Sequence, residues 1–259
     1  MKATNIFKDK KFIKCLKKWT FDEKGNHIKI LNNKDGIIKK NIDKVTYIDC
    51  SNYWITNIKG ISIFRNLKIL VLFNTWIKNL PKEIWKLKKL EMLDLDYNQI
   101  KKLPKEICRL NNLKILDLSD NQIEELSKEI GSLVSLENLY LNKNQLRYLP
   151  SEICNLKNLK NLYLSYNQLQ WLPAEILELK KLEKIKLNNA FDLNNLKQDP
   201  KELFDILQKL EERDLLGYYD LYYLKKEVYP ILEKKIKEKY KVDDLKQIKD
   251  NLNIDNLSF

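Results

Sequence analysis

Residues 90–112 read LEMLDLDYNQIKKLPKEICRLNN, and residues 113–135 read LKILDLSDNQIEELSKEIGSLVS. Leu90, Leu93, Leu95, Asn98, Ile100, Leu103, Ile107 and Leu110 return 23 positions later as Leu113, Leu116, Leu118, Asn121, Ile123, Leu126, Ile130 and Leu133. Further copies start at Leu67, Leu136 and Leu159. Before them, Val45, Ile48, Cys50, Tyr53, Ile55, Ile58, Ile61 and Phe64 form a 22-residue unit. After them, Leu182, Ile185 and Leu187 open a unit whose pattern is lost at Ala190. A period of this length predicts a repeat architecture. No single unit can bury its apolar face, so neighbours must stack into one continuous core.

Within a unit the period changes character. Leu-x-x-Leu-x-Leu contains the alternation of a short strand, and one strand per unit stacks into a parallel sheet. Asn98, Asn121, Asn144 and Asn167 follow the strands. A buried amide there satisfies backbone groups of its own turn and the next. Thr75 stands where the unit from Leu67 would carry this Asn. Pro81, Pro104, Pro150 and Pro173 suit the first turn of a short helix. Glu83, Glu106, Glu129, Glu152 and Glu175 fall near its start, where the backbone charge favours a carboxylate.

The ends need covers, because a terminal repeat would otherwise face water with its apolar side. Residues 1–18 carry Phe7, Phe12, Ile13 and Leu16, the pattern of a short amphipathic helix. Trp19 and Phe21, then Gly25-Asn26, then residues 27–31 read as a hairpin. After Asp199-Pro200, a cap and helix start, the spacing predicts one helix to about Leu210 and a second from Leu221 to Ile236 with a kink at Pro230. A third helix is expected after Asp243-Asp244. The chain thus divides into an N-terminal cap (1–44), repeats (45–190) and a C-terminal helical region (191–259).

The form Leu-x-x-Leu-x-Leu-x-x-Asn-x-Leu-x-x-Leu-Pro-x-Glu-Ile-x-x-Leu resembles the leucine-rich repeat family, in its 23-residue Ras-group subtype, common in bacteria and in intracellular eukaryotic proteins. The resemblance covers roughly residues 45–190, with departures at Thr75, Ser127 and Ala190. It implies an α/β leucine-rich repeat solenoid: a curved parallel sheet inside, short helices outside, and partners bound on the concave face. It does not name the partner.

Composition narrows the function classes. No segment approaches the ~18 consecutive apolar residues of a membrane span. No apolar run follows the charged start as a secretory signal requires, so a cytoplasmic protein, or one delivered by a signal-less route, is expected. Cys15, Cys50, Cys108 and Cys154 are read as free thiols in a reducing compartment, Cys50 as a small core hydrophobe. Cys108 and Cys154 share a slot two repeats apart, so strand spacing puts them roughly 10 Å from each other. No CxxC or CxxH cluster supports a metal site. The net charge is +12, and residues 1–44 hold 13 lysines against 5 carboxylates. Such a segment can bind nucleic acid or an anionic surface, although Lys-, Asn- and Ile-rich usage is also what an AT-rich genome produces.

Chemistry has little to stand on. His27 is the only histidine, falls in the hairpin, and has no nucleophile motif beside it. Residues 197–259 contain neither His nor Cys, which removes a cysteine-dependent ligase from consideration. No glycine-rich phosphate loop occurs, so no catalytic residue, cofactor or metal is expected.

Binding is expected at strand positions that point out of the sheet. One column reads Val71, Asp94, Asp117, Tyr140, Tyr163, Lys186. Its neighbour starts Phe73, Asp96, Ser119, and the next holds Tyr97, Asp120, Lys143 and Tyr166. The candidate partner-binding residues are Phe73, Asp94, Asp96, Asp117, Asp120, Tyr140, Tyr163 and Tyr166, with Trp171 on the adjoining rim. Trp85 and Lys86 fall on the convex side. Tyrosine and tryptophan are favoured at interface hot spots. The expected function is a non-catalytic protein-interaction scaffold for a protein or peptide with a basic and apolar segment. Nucleic-acid or anionic-surface binding through the lysine-rich N-terminus is the alternative.

Overall fold

The computed structural model describes residues 2–240, apart from Asn33 and Asp35. Eight strands form one sheet in chain order. They are β1 (Thr20–Phe21), β2 (Tyr47–Asp49), β3 (Ile69–Val71), β4 (Met92–Asp94), β5 (Ile115–Asp117), β6 (Asn138–Tyr140), β7 (Asn161–Tyr163) and β8 (Lys184–Lys186). β2 to β8 are parallel, and repeat-equivalent residues pair, as in Leu70 with Leu93 and Leu93 with Leu116. The repeat period therefore sets the register directly. Each strand's central residue points inward and is fully buried, from Ile48 to Ile185.

Asparagine amides fasten each turn to its neighbours. Asn121 Oδ1 accepts from the Ile100 amide at 2.9 Å, and its Nδ2 donates to the carbonyls of Leu95, Leu118 and Ser119. Asn98, Asn144 and Asn167 repeat the arrangement. Thr75, the substitute, is buried with its hydroxyl 2.9 Å from Leu72 O and 3.0 Å from Asn98 Oδ1. At the end of the ladder the Gln198 amide closes on the backbone of Leu172.

The outer segments are single 3₁₀ turns rather than α-helices, at Lys82–Lys86, Lys105–Arg109, Lys128–Ser132, Ser151–Asn155 and Ala174–Glu178. Each proline precedes its turn, with extended ψ, instead of lying within it. Five residues suit 3₁₀ geometry, which is used in short pieces. Ser127 takes the proline place in one repeat, and its hydroxyl donates to Glu129 Oε2 at 2.8 Å. Trp85 does not face solvent: it is 2% exposed and belongs to the core, unlike the exposed Lys86.

Helix α1 (Lys10–Leu16) covers the first repeat. Asp9 caps it, accepting from the Lys11 and Phe12 amides. Phe12, Ile13, Cys15 and Leu16 are buried, and Phe7 meets both Phe12 and Phe64. Gly60 sits at φ +91, where a Cβ would lie 2.6 Å from the Ile6 side chain. β1 then closes the sheet edge antiparallel to β2, and the hairpin is marked by a Phe21–His27 bridge. A short helix, α2 (Lys39–Ile42), leads into the repeats.

The cysteine reading needs correction. Cys15 of α1 and Cys50 beside β2 form a disulfide, with Cα atoms 5.7 Å apart. Cys108 and Cys154 are free. The pair is invisible to spacing arguments because the cap folds back across 35 residues to place one cysteine on the other.

The C-terminal edge is closed by substitution. The Ile185 amide donates to Leu215 O, and Leu216 bridges Ile185 in parallel, as a ninth strand would. Leu215 and Leu216 follow α3 (Pro200–Glu212), which is capped by Asp199 and packs on the last 3₁₀ turn. Arg213 donates to the carbonyls of Leu177 and Leu179. Next comes α4 (Tyr218–Tyr223), where Asp220 is fully buried. Its Oδ1 accepts from the amides of Leu187 (2.8 Å) and Asn188 (3.1 Å), and its Oδ2 from Lys186 Nζ (2.9 Å). The helix runs through a π turn at Leu224–Val228 into α5 (Tyr229–Lys239). Pro230, lacking an amide hydrogen, accounts for the irregularity at this point. The third expected helix lies outside the described residues.

Candidate functional site

With strand centres buried, the flanking residues must face away from the core. Register then makes columns of them: Asp49, Val71, Asp94, Asp117, Tyr140, Tyr163 and Lys186 are successive partners on adjacent strands. The sheet thereby brings Asp94, Asp117, Tyr140 and Tyr163 into one line. Asp96 and Phe73 lie two residues beyond the strand centres' outer neighbours, and Asp120, Tyr97 and Tyr166 lie at the following turn. That turn position has positive φ in every full repeat, including Tyr97 (+57) and Tyr166 (+57). It holds both rings out, about half exposed.

The acidic half is crowded. Asp94 Oδ1 accepts from the Asp96 amide at 3.0 Å, and Asp117 Oδ1 from the Ser119 amide at 2.9 Å. These bonds close the strand end, so both aspartates also serve the fold. Asp120 pairs with Lys143 at 3.2 Å. Asp96 Oδ1 is buried without a partner. Burial, then the charges of Asp117, Asp120 and Asp94, push Asp96 up to about 6. Burial raises Asp94 and Asp117 as well, with nearby carboxylates adding to the shift. Partial desolvation and like charges both disfavour ionisation, and a cation placed there would reverse the second cause.

The aromatic half begins one strand later. Tyr140 and Tyr163 meet edge to face with ring centroids 5.0 Å apart, and the Lys184 ammonium lies 5.9 Å from the Tyr163 ring. Phe73 and Tyr97 make a second pair at 6.2 Å on the other side of the acids. Trp171 is not in this group. It belongs to a separate short ladder, Glu125–Tyr148–Trp171, beyond the buried asparagines.

Sequence reasoning left out one column. Ile69, Met92, Ile115, Asn138, Asn161 and Lys184 stand one residue before the strand centres and share the outward face. Asn161 Nδ2 donates to Asn138 Oδ1 at 2.6 Å. The same alternation that selected Asp94 and Asp117 selects these residues. The acidic half therefore has an apolar border of Ile69, Met92 and Ile115. Among the described residues, no carboxylates, thiols or imidazoles come together as a metal-binding group.

A family model described as a leucine-rich repeat region matches residues 44–119 and 105–227. The chain belongs to the leucine-rich repeat family. Among solved structures, a leucine-rich repeat protein of Leptospira interrogans is 35% identical, with TM-score 0.50, over 64% of this chain and 47% of that one. An internalin of Listeria monocytogenes is 20% identical, with TM-score 0.52, over 70% of this chain and 56% of that one. The latter likeness shows the fold alone. The chain spans about half the length of these structures. No curated protein matches it. No described helix is long and apolar enough to cross a membrane.

Proposed function

We propose that this leucine-rich repeat protein is a non-catalytic scaffold that binds a protein or peptide on the concave face of its sheet. The register of β4 to β7 carries the reading. It sets Asp94 and Asp117 in line with Tyr140 and Tyr163 on adjacent strands. An extended segment lying across the strands would meet carboxylates first and tyrosine rings next. A cationic residue followed by an apolar one matches that order. Phe73, Asp96, Asp120 and Tyr166 border the line, and Trp171 would be reached only by a partner that extends over the rim.

The 23-residue units with Pro and Glu-Ile support assignment to the Ras-group subtype. The buried Cys15–Cys50 pair supports an oxidising compartment in place of the reducing one inferred from cysteine spacing. The caps at 1–44 and 191–259 serve the repeats between them in this reading.

Selection from a random displayed peptide library tests the proposal. Enriched peptides should carry Lys or Arg next to apolar residues. Tyr140→Ala with Tyr163→Ala should weaken them at least tenfold, as loss of hot-spot aromatics does. Lys86→Ala, on the convex side, should leave them unchanged. Equal binding by the tyrosine variant would refute the assignment of the face.

A further inference from the structure

Two of the chain's five tryptophans, Trp54 and Trp76, stand together at the N-terminal end, off the concave columns. Trp54 and Trp76 are 56% and 53% exposed, with ring centroids 5.9 Å apart. Their column holds Gln99, Gln122, Gln145 and Gln168 in later repeats, so the repeat does not require an aromatic there. Both tryptophans also have left-handed backbone, φ +50 and +67, whereas none of those glutamines does. A bulky residue at positive φ is uncommon, and such conformations cluster at functional sites. Trp19 stands beside Asp49 on the outward face of the sheet edge, and its indole N–H donates at 2.9 Å to the hydroxyl of Tyr53, the residue before Trp54.

Lysines surround these rings. Lys11 Nζ lies 5.4 Å from the Trp54 ring and Lys18 Nζ 5.3 Å from the Trp19 ring. Lys59 and Lys78 line a cleft of about 510 Å³ walled by Trp76. The three segments that build the patch, residues 10–19, 50–60 and 74–82, contain lysines but no aspartate or glutamate. Asp9, Asp49 and Glu83 border these segments; Asp9 is engaged by Thr56 and the amides of α1, and Asp49 by Tyr47 and Ser51.

We propose that this patch is a second binding surface, which docks the protein peripherally on an anionic lipid bilayer. Indole rings favour the headgroup level of a bilayer, and lysines near an anionic leaflet add electrostatic attraction that falls off within a Debye length. The ring arrangement favours lipid over single-stranded nucleic acid. Stacking of bases needs open ring faces, but Trp54 and Trp19 each already have an ammonium within 6 Å, and Trp54 has Trp76 beside it. The cations are all lysines, point charges, rather than the arginine forks that phosphate recognition often uses.

The full chain should co-sediment with phosphatidylcholine vesicles containing about 30 mol% phosphatidylserine at ~0.15 M salt, and not with phosphatidylcholine alone. Tryptophan emission should shift to the blue on binding. Trp54→Gln with Trp76→Gln restores the residue of the other repeats, so its melting curve should match the parent while bound fraction falls at least fivefold. Tyr140→Ala with Tyr163→Ala should keep vesicle binding, which separates this surface from the concave one. No binding to the anionic vesicles, or equal binding by the glutamine variant, would overturn the proposal. So would stronger, tryptophan-dependent binding to oligothymidine at the same salt.

Discussion

Asp220 holds the C-terminal cap to the solenoid, and replacing it should loosen the last repeat first. Its side chain is 1% exposed and accepts from Lys186 at 2.9 Å, where the lysine is 24% exposed. It also accepts from the buried Leu187 amide and from Asn188 and Gly217. Asp220→Ala strands these donors at the point where β8 has no following repeat. Breaking a buried pair by removing one partner costs roughly 3–5 kcal/mol. Lys186 can turn toward water, so the lower half of that range is expected, with most of the loss from the two strand amides. For a chain of this size each kcal/mol lowers the melting temperature by about 2–4 °C, giving a fall of roughly 6–15 °C. Asp220→Asn keeps one accepting oxygen and should fall between the two. Because a solenoid's units contact only their neighbours, the loss should be local at first. Hydrogen exchange read by mass spectrometry should accelerate at 185–190 and 215–224 before it changes at β4 to β6. A variant with parental melting and unchanged exchange in those segments would refute the role of Asp220 as the anchor.

Reducing the Cys15–Cys50 bond, or Cys15→Ser with Cys50→Ser, should cost about 3–4 kcal/mol by loop entropy for a separation of 35 residues, seen as a lower urea midpoint. Asp96 has a folded pKa of about 6 against an ordinary 3.8, so the fold binds this proton more tightly than the unfolded chain. Its contribution to stability is full below about 4 and is lost as pH rises through 6. Asp96→Asn should therefore raise stability at pH 7.5 by on the order of 1 kcal/mol after solvent screening, read as a higher melting temperature, and the gain should vanish near pH 4. Gly131→Ala would set a Cβ 2.3 Å from Glu152 O in the next repeat, which should cost about 1–3 kcal/mol in chemical denaturation.

Periodicity made the architecture legible. The spacing of Leu90, Leu93 and Leu95 to their copies specifies both the parallel strands and their register, and the asparagine ladder follows from one residue per unit. What escaped depends on contacts without a period. Cys15 meets Cys50 because α1 folds over the first repeat, and Asp220 replaces a missing strand from 34 residues beyond Lys186. Trp85 falls on the convex side by its place in the repeat, yet its ring is buried in the core, which its slot in the other repeats (Cys108, Gly131, Cys154) does not foretell. In the candidate site, alternation found the aspartate–tyrosine line. The same alternation selects Ile69, Met92 and Ile115, but they resemble core leucines in type, and a reading by type leaves them out of the site although they face outward. Trp171 is expected on the adjoining rim, and the fold sets it there in the Glu125–Tyr148–Trp171 ladder.

Hydroxyl-radical footprinting of the full chain, with and without a peptide selected as above, tests the concave-face assignment most directly. The oxidisable residues Met92, Tyr140, Tyr163 and Tyr166 lie on or beside that face, whereas Trp54, Trp76 and Trp171 lie away from it. Peptide should protect the first group and leave the second at its unbound rate of oxidation. Protection confined to the three tryptophans, with Tyr140 and Tyr163 oxidised as in the free protein, would contradict that assignment.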